Sequence, residues 1–565
     1  MKQGQSPRIS GREVLAYVVG GVLLAVVMSW PLARHLGQRI PQDIVDPLNQ
    51  AWQLAWGGHA LRTSPGSLWQ ANAFFPVPDS LAFSDSLLGY APISLLLARG
   101  TAGVLRAYNV AFLTAYAMCF VGATLLAREL GARTSAAVVA GVAFAYAPWR
   151  MTHNGHLNIL SIGGVALTLF LLLRGYRRSS TPLIIGGWAT AAWQLSIGFA
   201  MGLFFAYLLM LLGVVTVAWW LRAGRPGIPR TTVIASAAGM LLFLVAAGLL
   251  VRPYLRITAR YPEAERSIES VDFFSPPPRS LLAAPGEGRV WGERTKAVRD
   301  ALPFAPEQAL FPGVLVIALA GAGLASRRMG RSWRAGLAAG VVISTLLALG
   351  TRIGLTRPVY VFLFDHAPGW NAVRTPGRLI AFASLGLALL AALGAHAVQD
   401  TLLARDFGRR ARGGGSARRG AALAAGVGGV LAAVVFAEGM PLLPQPDVPR
   451  RPAALDAVPE ARVHLPTDFF HDTAYVYFST EGFTPISNGS TSFVPPRLER
   501  LRQELVTFPD ATSVASLQEL GLRAVVLHLD RAPGTPWQDT ASRPIDGLPL
   551  TREVLGDVVV YRLTS

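Results

Sequence analysis

The sequence predicts a polytopic α-helical membrane protein that carries a small C-terminal extracytoplasmic α/β domain. Three observations predict it: an apolar content that no soluble fold of this length would bury, about eleven apolar stretches of spanning length, and a basic cluster in every second connection between them. Of 565 residues, 52% are hydrophobic and 15% charged, and the mean hydropathy is +0.41. Part of the surface therefore needs lipid as its solvent. The formal charge of +18 would suit a nucleic-acid binder, but the basic residues are nearly all arginines in short runs between apolar stretches. That is a topological distribution, and no nucleic-acid partner is expected. The single cysteine, Cys119, sits inside an apolar stretch, so it forms no disulfide framework or CxxC metal motif and reads as a small buried residue.

The first apolar stretch, 14–30, follows Lys2, Arg8 and Arg12 and lacks a small-x-small cleavage site after Pro31, which marks it as an uncleaved first helix. Further stretches run over 108–127, 135–149, 157–173, 182–197, 199–220, 231–251, 309–325, 335–349, 378–398 and 420–437. With the amino terminus in the cytoplasm, every second connection is basic: Arg128 and Arg133, then 174–178, 222–230, 327–334, and finally the run Arg405, Arg409, Arg410, Arg412, Arg418 and Arg419. The opposite connections, 33–106, 252–308 and 350–377, are long and chemically varied and face outside. An odd number of spans places everything after Pro441 on the outer side. The chain thus divides into a multi-pass part, 1–440, and an extracytoplasmic α/β domain, 441–565. The latter starts with a Pro-rich linker (PLLPQPDVPRRP), shows four strand-like runs (ARVHLP, TAYVYFS, RAVVLHL, DVVVYRL) and one helical run (PPRLERLRQELVTF). The formal sequon at Asn488 reads as coincidence.

The polar residues of the outer face are where chemistry can reside. Asp43 and Asp46 follow directly on the first span. Asp46 precedes Pro47, and Leu48, Trp52, Ala55, Trp56 and His59 recur at helical spacing, which predicts an amphipathic helix lying in the membrane interface. Asp46 has two readings: a helix N-cap ahead of an N1 proline, or a general base fixed beside a membrane-facing groove. Asp85 has the ordinary reading of a cap for the apolar stretch 86–98. His153 and His156 are three apart at the outer end of a span; polar contact with sugar or phosphate, or a plain interfacial role, suits them better than metal ligation, which needs further ligands. Arg374 and Arg378, in VRTPGR, read as phosphate holders with paired N–H donors, or as interfacial anchors or ion-pair partners. Glu269 and Asp272 read as solvated loop charges.

The order of these parts resembles bacterial members of the GT-C superfamily of membrane glycosyltransferases. The resemblance lies in an acidic loop and helix just after the first span (QDIVDPLNQAWQLAW), then FFPVPDSLAFSDSLLG, FAYAPWRMTHNGHLNIL, a WNAVRTPGRL segment and a terminal outer domain. It covers most of the chain as architecture. It implies transfer of a sugar from a polyprenyl-phosphate donor to a glycan, lipid or protein acceptor of the cell envelope, with Asp46, or else Asp43, as catalytic base. The two acids stand three apart where many members have an adjacent pair, so the choice between them is open. The phosphate of the departing carrier would fall to Arg374 and Arg378, with His153, His156 and Asp85 as further substrate contacts. No ligand-spaced metal cluster is present, and assistance by a divalent cation is left open. Two other functions compete: a lipid or glycan transporter, disfavoured by the lack of repeated halves and of mid-membrane charges, and a non-catalytic cell-envelope scaffold.

Overall fold

The computed structural model describes residues 6–409, 416–458, 460–491 and 493–564, with backbone alone at 405–409 and 416–418. Of the basic positions above, Lys2, Arg410 and Arg412 lie outside the described residues, as do the side chains of Arg405, Arg409 and Arg418. Among the described residues seven helical segments are long and apolar enough to cross a membrane: Gly11–Met28, Gly100–Glu129, Leu157–Arg178, Phe199–Arg222, Arg230–Arg260, Pro376–Ala404 and Arg419–Glu438. The protein is a multi-pass membrane protein. The four other expected stretches are also helical but fall short of a span. Thr134–Ala145 and Val314–Ala325 have 12 residues each, a rise of about 18 Å against a hydrocarbon core of about 30 Å. Thr181–Ile197 has 17 residues, and Arg331–Ala348 carries two arginines in its first turn.

The chain forms two compact units. The first comprises Met1–Trp30, Phe112–Leu250 and Glu265–Leu443, the second Pro31–Ala111, Val251–Ala264 and Pro444–Ser565. In the first unit, the helix Val314–Ala325 packs along Ile380–Arg409 through glycines. A Cβ on Gly323 would meet the Leu390 carbonyl oxygen at 2.0 Å, and one on Gly394 the Leu319 carbonyl oxygen at 1.9 Å. Only hydrogen fits there, and such close backbone approach is what holds helices together where lipid removes the hydrophobic drive. Ala320, Met329, Leu390 and Leu393 close the seam. Buried acids tie helix ends. Glu129 pairs with Arg174 at 2.6 Å and Arg177 at 3.1 Å. Glu438 accepts from the backbone N–H groups of Val314 and Leu315, at 3.2 and 3.1 Å, satisfying amides that a helix start leaves without partners.

The second unit contains a four-stranded sheet in the order β1-β2-β4-β3, from β1 (Arg462–Leu465), β2 (Ala524–His528), β3 (Leu550–Leu555) and β4 (Val558–Leu563). β1 and β2 are parallel and the other pairings antiparallel. Three of the expected strand runs are strands, and PPRLERLRQE is the helix Pro496–Glu504. TAYVYFS instead lies in the helix His471–Phe478. A short apolar run buried on every side has no periodicity to separate strand from helix, and all its residues from Asp472 to Phe478 are buried. β3 escaped the sequence reading because its middle is exposed and charged, with only Leu550 buried.

The Pro-rich stretch is more than a linker. Within the second unit it lies extended against 38–42: Gln42 and Ile40 donate to the Pro444 and Pro446 carbonyls at 2.8 and 3.3 Å, and Val448 donates to the Gln38 carbonyl at 3.1 Å. Arg39 adds an ion pair to Asp447 at 3.1 Å. Prolines suit such an edge, since it asks them for carbonyls and not for N–H groups.

Replacing Gly394 by valine drives a side chain into the Leu319 carbonyl. We expect a loss of about 1–3 kcal/mol, read as a lowered thermal midpoint of the detergent-solubilised protein, whereas valine at Gly340, where a Cβ meets nothing within 4 Å, leaves the midpoint near wild type.

Candidate functional site

The second unit positions the early acids. Gln42 has φ +75°, a left-handed conformation that costs a non-glycine residue on the order of 1 kcal/mol or more. Its N–H bond to Pro444 fixes that bend, and the bend delivers Asp43. Asp43 Oδ1 accepts from the Val45 N–H at 2.8 Å, turning the chain into the helix Asp46–Thr63, which Pro47 starts. Asp46 is the first helical residue and Val45 occupies the N-cap position, so Asp46 stands one place inside the N-cap that its position before Pro47 suggested. Both acids are half-buried, neighbours of a fully buried polar set. Tyr108 is fully buried, its hydroxyl has no hydrogen-bond partner among the described residues, and it lies within electrostatic range of both carboxylates. Asn49, one turn along from Asp46, keeps its Oδ1 buried and unbonded.

The Asp46 helix turns its aromatic face to the protein body and buries its polar side as well. Every residue from Pro47 to Gly58 is buried, including Asn49, Gln50 and Gln53 on the polar side. Trp52 donates to Asn72 at 2.9 Å, Asn72 donates in turn to Ser479 at 2.9 Å, and Thr473 donates to the Ile44 carbonyl at 3.2 Å. The helix therefore packs on the C-terminal domain's helix His471–Phe478, inside the second unit. The N-cap positions of the two helical turns after Asp85, Leu88–Tyr90 and Ala91–Leu97, are held by Leu87 and Tyr90; Asp85 stands within electrostatic range of Tyr254, whose hydroxyl donates to the Ser84 carbonyl at 3.0 Å. The acid that the sequence reading passed over here is Asp79. It is 3% exposed, has φ +57° and pairs with Arg256 at 3.0 Å.

The first unit gathers His153, His156, Arg374 and Arg378. Arg378 forms a two-pronged bond to Glu307, with Nε–Oε2 at 3.1 Å and Nη2–Oε1 at 2.5 Å. Burial opposes ionisation of Glu307, yet the Arg378 guanidinium outweighs it and holds the carboxyl at about 2. Glu307 is the residue the sequence did not disclose; it sits alone in LPFAPEQ with no spacing to link it to VRTPGR. The rings of His153 and His156 are 5.5 Å apart, and His153 is 2% exposed. Burial is the main cause that pushes His153 down to about 3, so it is held neutral. Arg374 lies with its guanidinium carbon 4.9 Å from the centroid of the Phe274 ring. Arg266, also missed by the sequence reading, is within electrostatic range of Arg374; burial and that cation hold Arg266 below the ordinary arginine value, and burial and Arg378 do the same to Arg374. Arg374 has a guanidinium neighbour on either side, Arg266 and Arg378, and the three form a cationic locus of the kind that holds a phosphate. Asp272, by contrast, is engaged in a two-pronged pair with Arg357, at 2.9 and 3.1 Å. Among the described residues no group of three or more His, Cys, Asp or Glu is arranged to hold a metal ion.

Tyr475 and Tyr477 of the C-terminal domain are core residues, 0% and 4% exposed; Tyr475 stacks on His464 and His528, whose ring nitrogens meet at 2.9 Å. Phe483 packs on Trp56 and His59. Asn488 is 1% exposed, bonded to Asp472 at 2.8 Å and to the His464 backbone at 2.7 and 3.0 Å, which makes the sequon structural.

A helical membrane unit joined to a second unit built on a small sheet defines the class: the chain has a GT-C-type fold. Two cryo-EM structures of a mutant of the arabinofuranosyltransferase AftD from Mycobacteria match all of it, at TM-scores of 0.55 and 0.57 with 19% and 18% identity. The chain spans 42% of the length of those AftD chains. The apo structure of ArnT from Cupriavidus metallidurans is matched over 97% of each chain at 12% identity, with a TM-score of 0.37. No family model and no curated protein sequence matches the chain.

A histidine held neutral in the fold binds a proton only when the chain unfolds. His153, depressed to about 3, therefore contributes stability that is full above the unfolded value near 6.5 and is lost as pH falls through that window, by up to about 1.4 kcal/mol per pH unit. We expect the thermal midpoint to fall between pH 7 and pH 4, and His153→Asn to flatten that slope; an unchanged slope in the variant would place the effect elsewhere.

Proposed function

We propose that this protein transfers a sugar from a polyprenyl-phosphate donor to an acceptor at the outer face of a bacterial cytoplasmic membrane, with inversion at the anomeric carbon. The observation that carries the reading is the acid pair at the start of the Asp46 helix: two half-buried carboxylates on a strained, braced turn, with the unbonded Tyr108 hydroxyl in electrostatic range. A turn held in a costly conformation by its surroundings is a feature of sites where geometry matters more than stability. The GT-C-type fold shared with AftD supports the reading at the level of architecture.

In the proposed mechanism Asp46, or Asp43, takes the proton of an acceptor hydroxyl as its oxygen attacks the anomeric carbon. The bond from that carbon to the phosphate oxygen breaks, and the phosphate leaves with the electron pair. Arg374 and Arg266 are suited to receive that charge, with Arg378 set in place by Glu307; a phosphate leaving group stabilised in this way needs no strong general acid. His153, neutral and buried, offers a hydrogen bond and not a charge, and His156 and Asp85 are assigned to substrate contact. The acceptor is a glycan, lipid or protein. The amino terminus is cytoplasmic, 1–440 forms the membrane part, and 441–565 forms the extracytoplasmic domain.

Transfer of radiolabelled sugar from polyprenyl-phosphate donors, in membranes with matched expression, tests this. We expect Asp46→Asn or Asp43→Asn to lower transfer by at least a hundredfold, within the range for loss of a general base. Failure of every donor, with both variants restoring a deletion strain as well as wild type, favours a scaffold. Arg374→Ala should lower kcat/KM for the donor about tenfold or more, with kcat falling because the departing charge loses a partner; a product with retained configuration rules out single displacement.

A further inference from the structure

We infer that the first unit contains a buried site for a small monovalent inorganic anion of halide size, formed by Arg150, Tyr146 and Asn154. The Arg150 side chain is 1% exposed. Its Nη2 donates to the Leu160 carbonyl at 2.9 Å and makes a long contact with Cys119 Sγ at 3.6 Å. Its Nε and Nη1 have no hydrogen-bond partner among the described residues, and no carboxylate pairs with it there. The guanidinium carbon lies 5.3 Å from the centroid of the Tyr116 ring and 5.8 Å from that of Trp149.

Tyr116 organises the rest. Its hydroxyl donates to Asn154 Oδ1 at 2.6 Å, which occupies the amide's acceptor and leaves Asn154 Nδ2, in a residue 0% exposed, without a partner. The Tyr146 ring stacks on Tyr116 with centroids 5.5 Å apart, and its hydroxyl, in a residue 2% exposed, is also unbonded. The groups without partners around Tyr116 are thus two guanidinium N–H groups and one amide NH2, which only donate, and one hydroxyl, which donates or accepts.

This pattern selects the ligand. Arginine does not shed its proton in a protein, and a desolvated cation without a counter-charge costs several kcal/mol. The aromatic faces offset part of that, about 2 kcal/mol or more for a desolvated contact, but accept none of the lateral N–H bonds. A water molecule could accept from two of these donors but would leave the guanidinium without a counter-charge. A halide accepts from every side and supplies the missing charge. This inference does not depend on the glycosyltransferase reading.

The test is the thermal midpoint of the full chain in lipid nanodiscs, titrated with sodium chloride or bromide against sodium gluconate at constant ionic strength. Wild type should show a saturable rise in midpoint. Tyr146→Phe, which removes one donor and keeps the ring, should raise the half-saturating halide concentration at least fivefold, Asn154→Leu should do the same, and Arg150→Gln should abolish the response. If Arg150→Gln does not fold, Tyr146→Phe decides. A wild-type midpoint indifferent to halide, or the same half-saturation in wild type and Tyr146→Phe, overturns the site.

Discussion

The constraint on which the rest of the first unit depends is that a charge buried among apolar helices finds no water and must find a protein partner. Glu129 meets it with Arg174 and Arg177, Glu307 with Arg378, and Glu438 with the first amides of Val314–Ala325. Each pairing joins segments far apart in sequence: 45 residues separate Glu129 from Arg174, and 71 separate Glu307 from Arg378. The ion pairs therefore also serve as registration marks, fixing which helix end lies beside which. Arg150 departs from the pattern, with aromatic faces and one carbonyl in place of a carboxylate.

The second unit is assembled on a different rule. Its three chain segments, Pro31–Ala111, Val251–Ala264 and Pro444–Ser565, are held by neutral hydrogen bonds and aromatic contacts more than by charge. Asn72 bonds to Trp52, Ser479 and the Thr484 carbonyl. Phe74 and Phe83 meet edge to face at 5.0 Å, Phe83 meets Phe493 at 5.6 Å, and Phe493 meets Tyr261 at 5.5 Å, a chain of rings that visits all three segments. Joined in this way, the loop that carries Asp43 and Asp46 belongs to the same packed body as the C-terminal domain. The extended prolines at 444–448 complete the arrangement by bracing the bend at Gln42, so the geometry of the acids is set some four hundred residues downstream of them.

Local sequence was enough wherever a signal repeats or a local rule acts. The apolar stretches reported helices because every residue on a lipid-facing or buried turn must be apolar, and all eleven expected stretches are helical. β1, β2 and β4 were legible as β-branched runs. The segments proposed to carry the chemistry, QDIVDPLNQAW and VRTPGRL, stood out because charge is rare in so apolar a chain. Where a signal depends on what packs against it, the reading failed. The TAYVYF run looked like a strand because its residues are β-formers, yet burial of Asp472 with Arg502 at 2.6 Å and of every neighbour imposes a helix. The helix after Asp46 looked amphipathic because its aromatic residues repeat, although its polar side is buried as well.

By itself, then, the sequence determined the class of protein, where its apolar helices lie and which few polar residues merit attention, because composition and periodicity are local and additive. Only the tertiary structure decided what those residues do. It paired Arg378 with Glu307, set Arg266 within range of Arg374, buried Tyr475 and Tyr477, engaged Asp272 with Arg357 and left Tyr108 unbonded within range of Asp43 and Asp46. Each of these depends on a partner distant in the chain, and the desolvation that makes such a partner necessary exists only once the helices have packed.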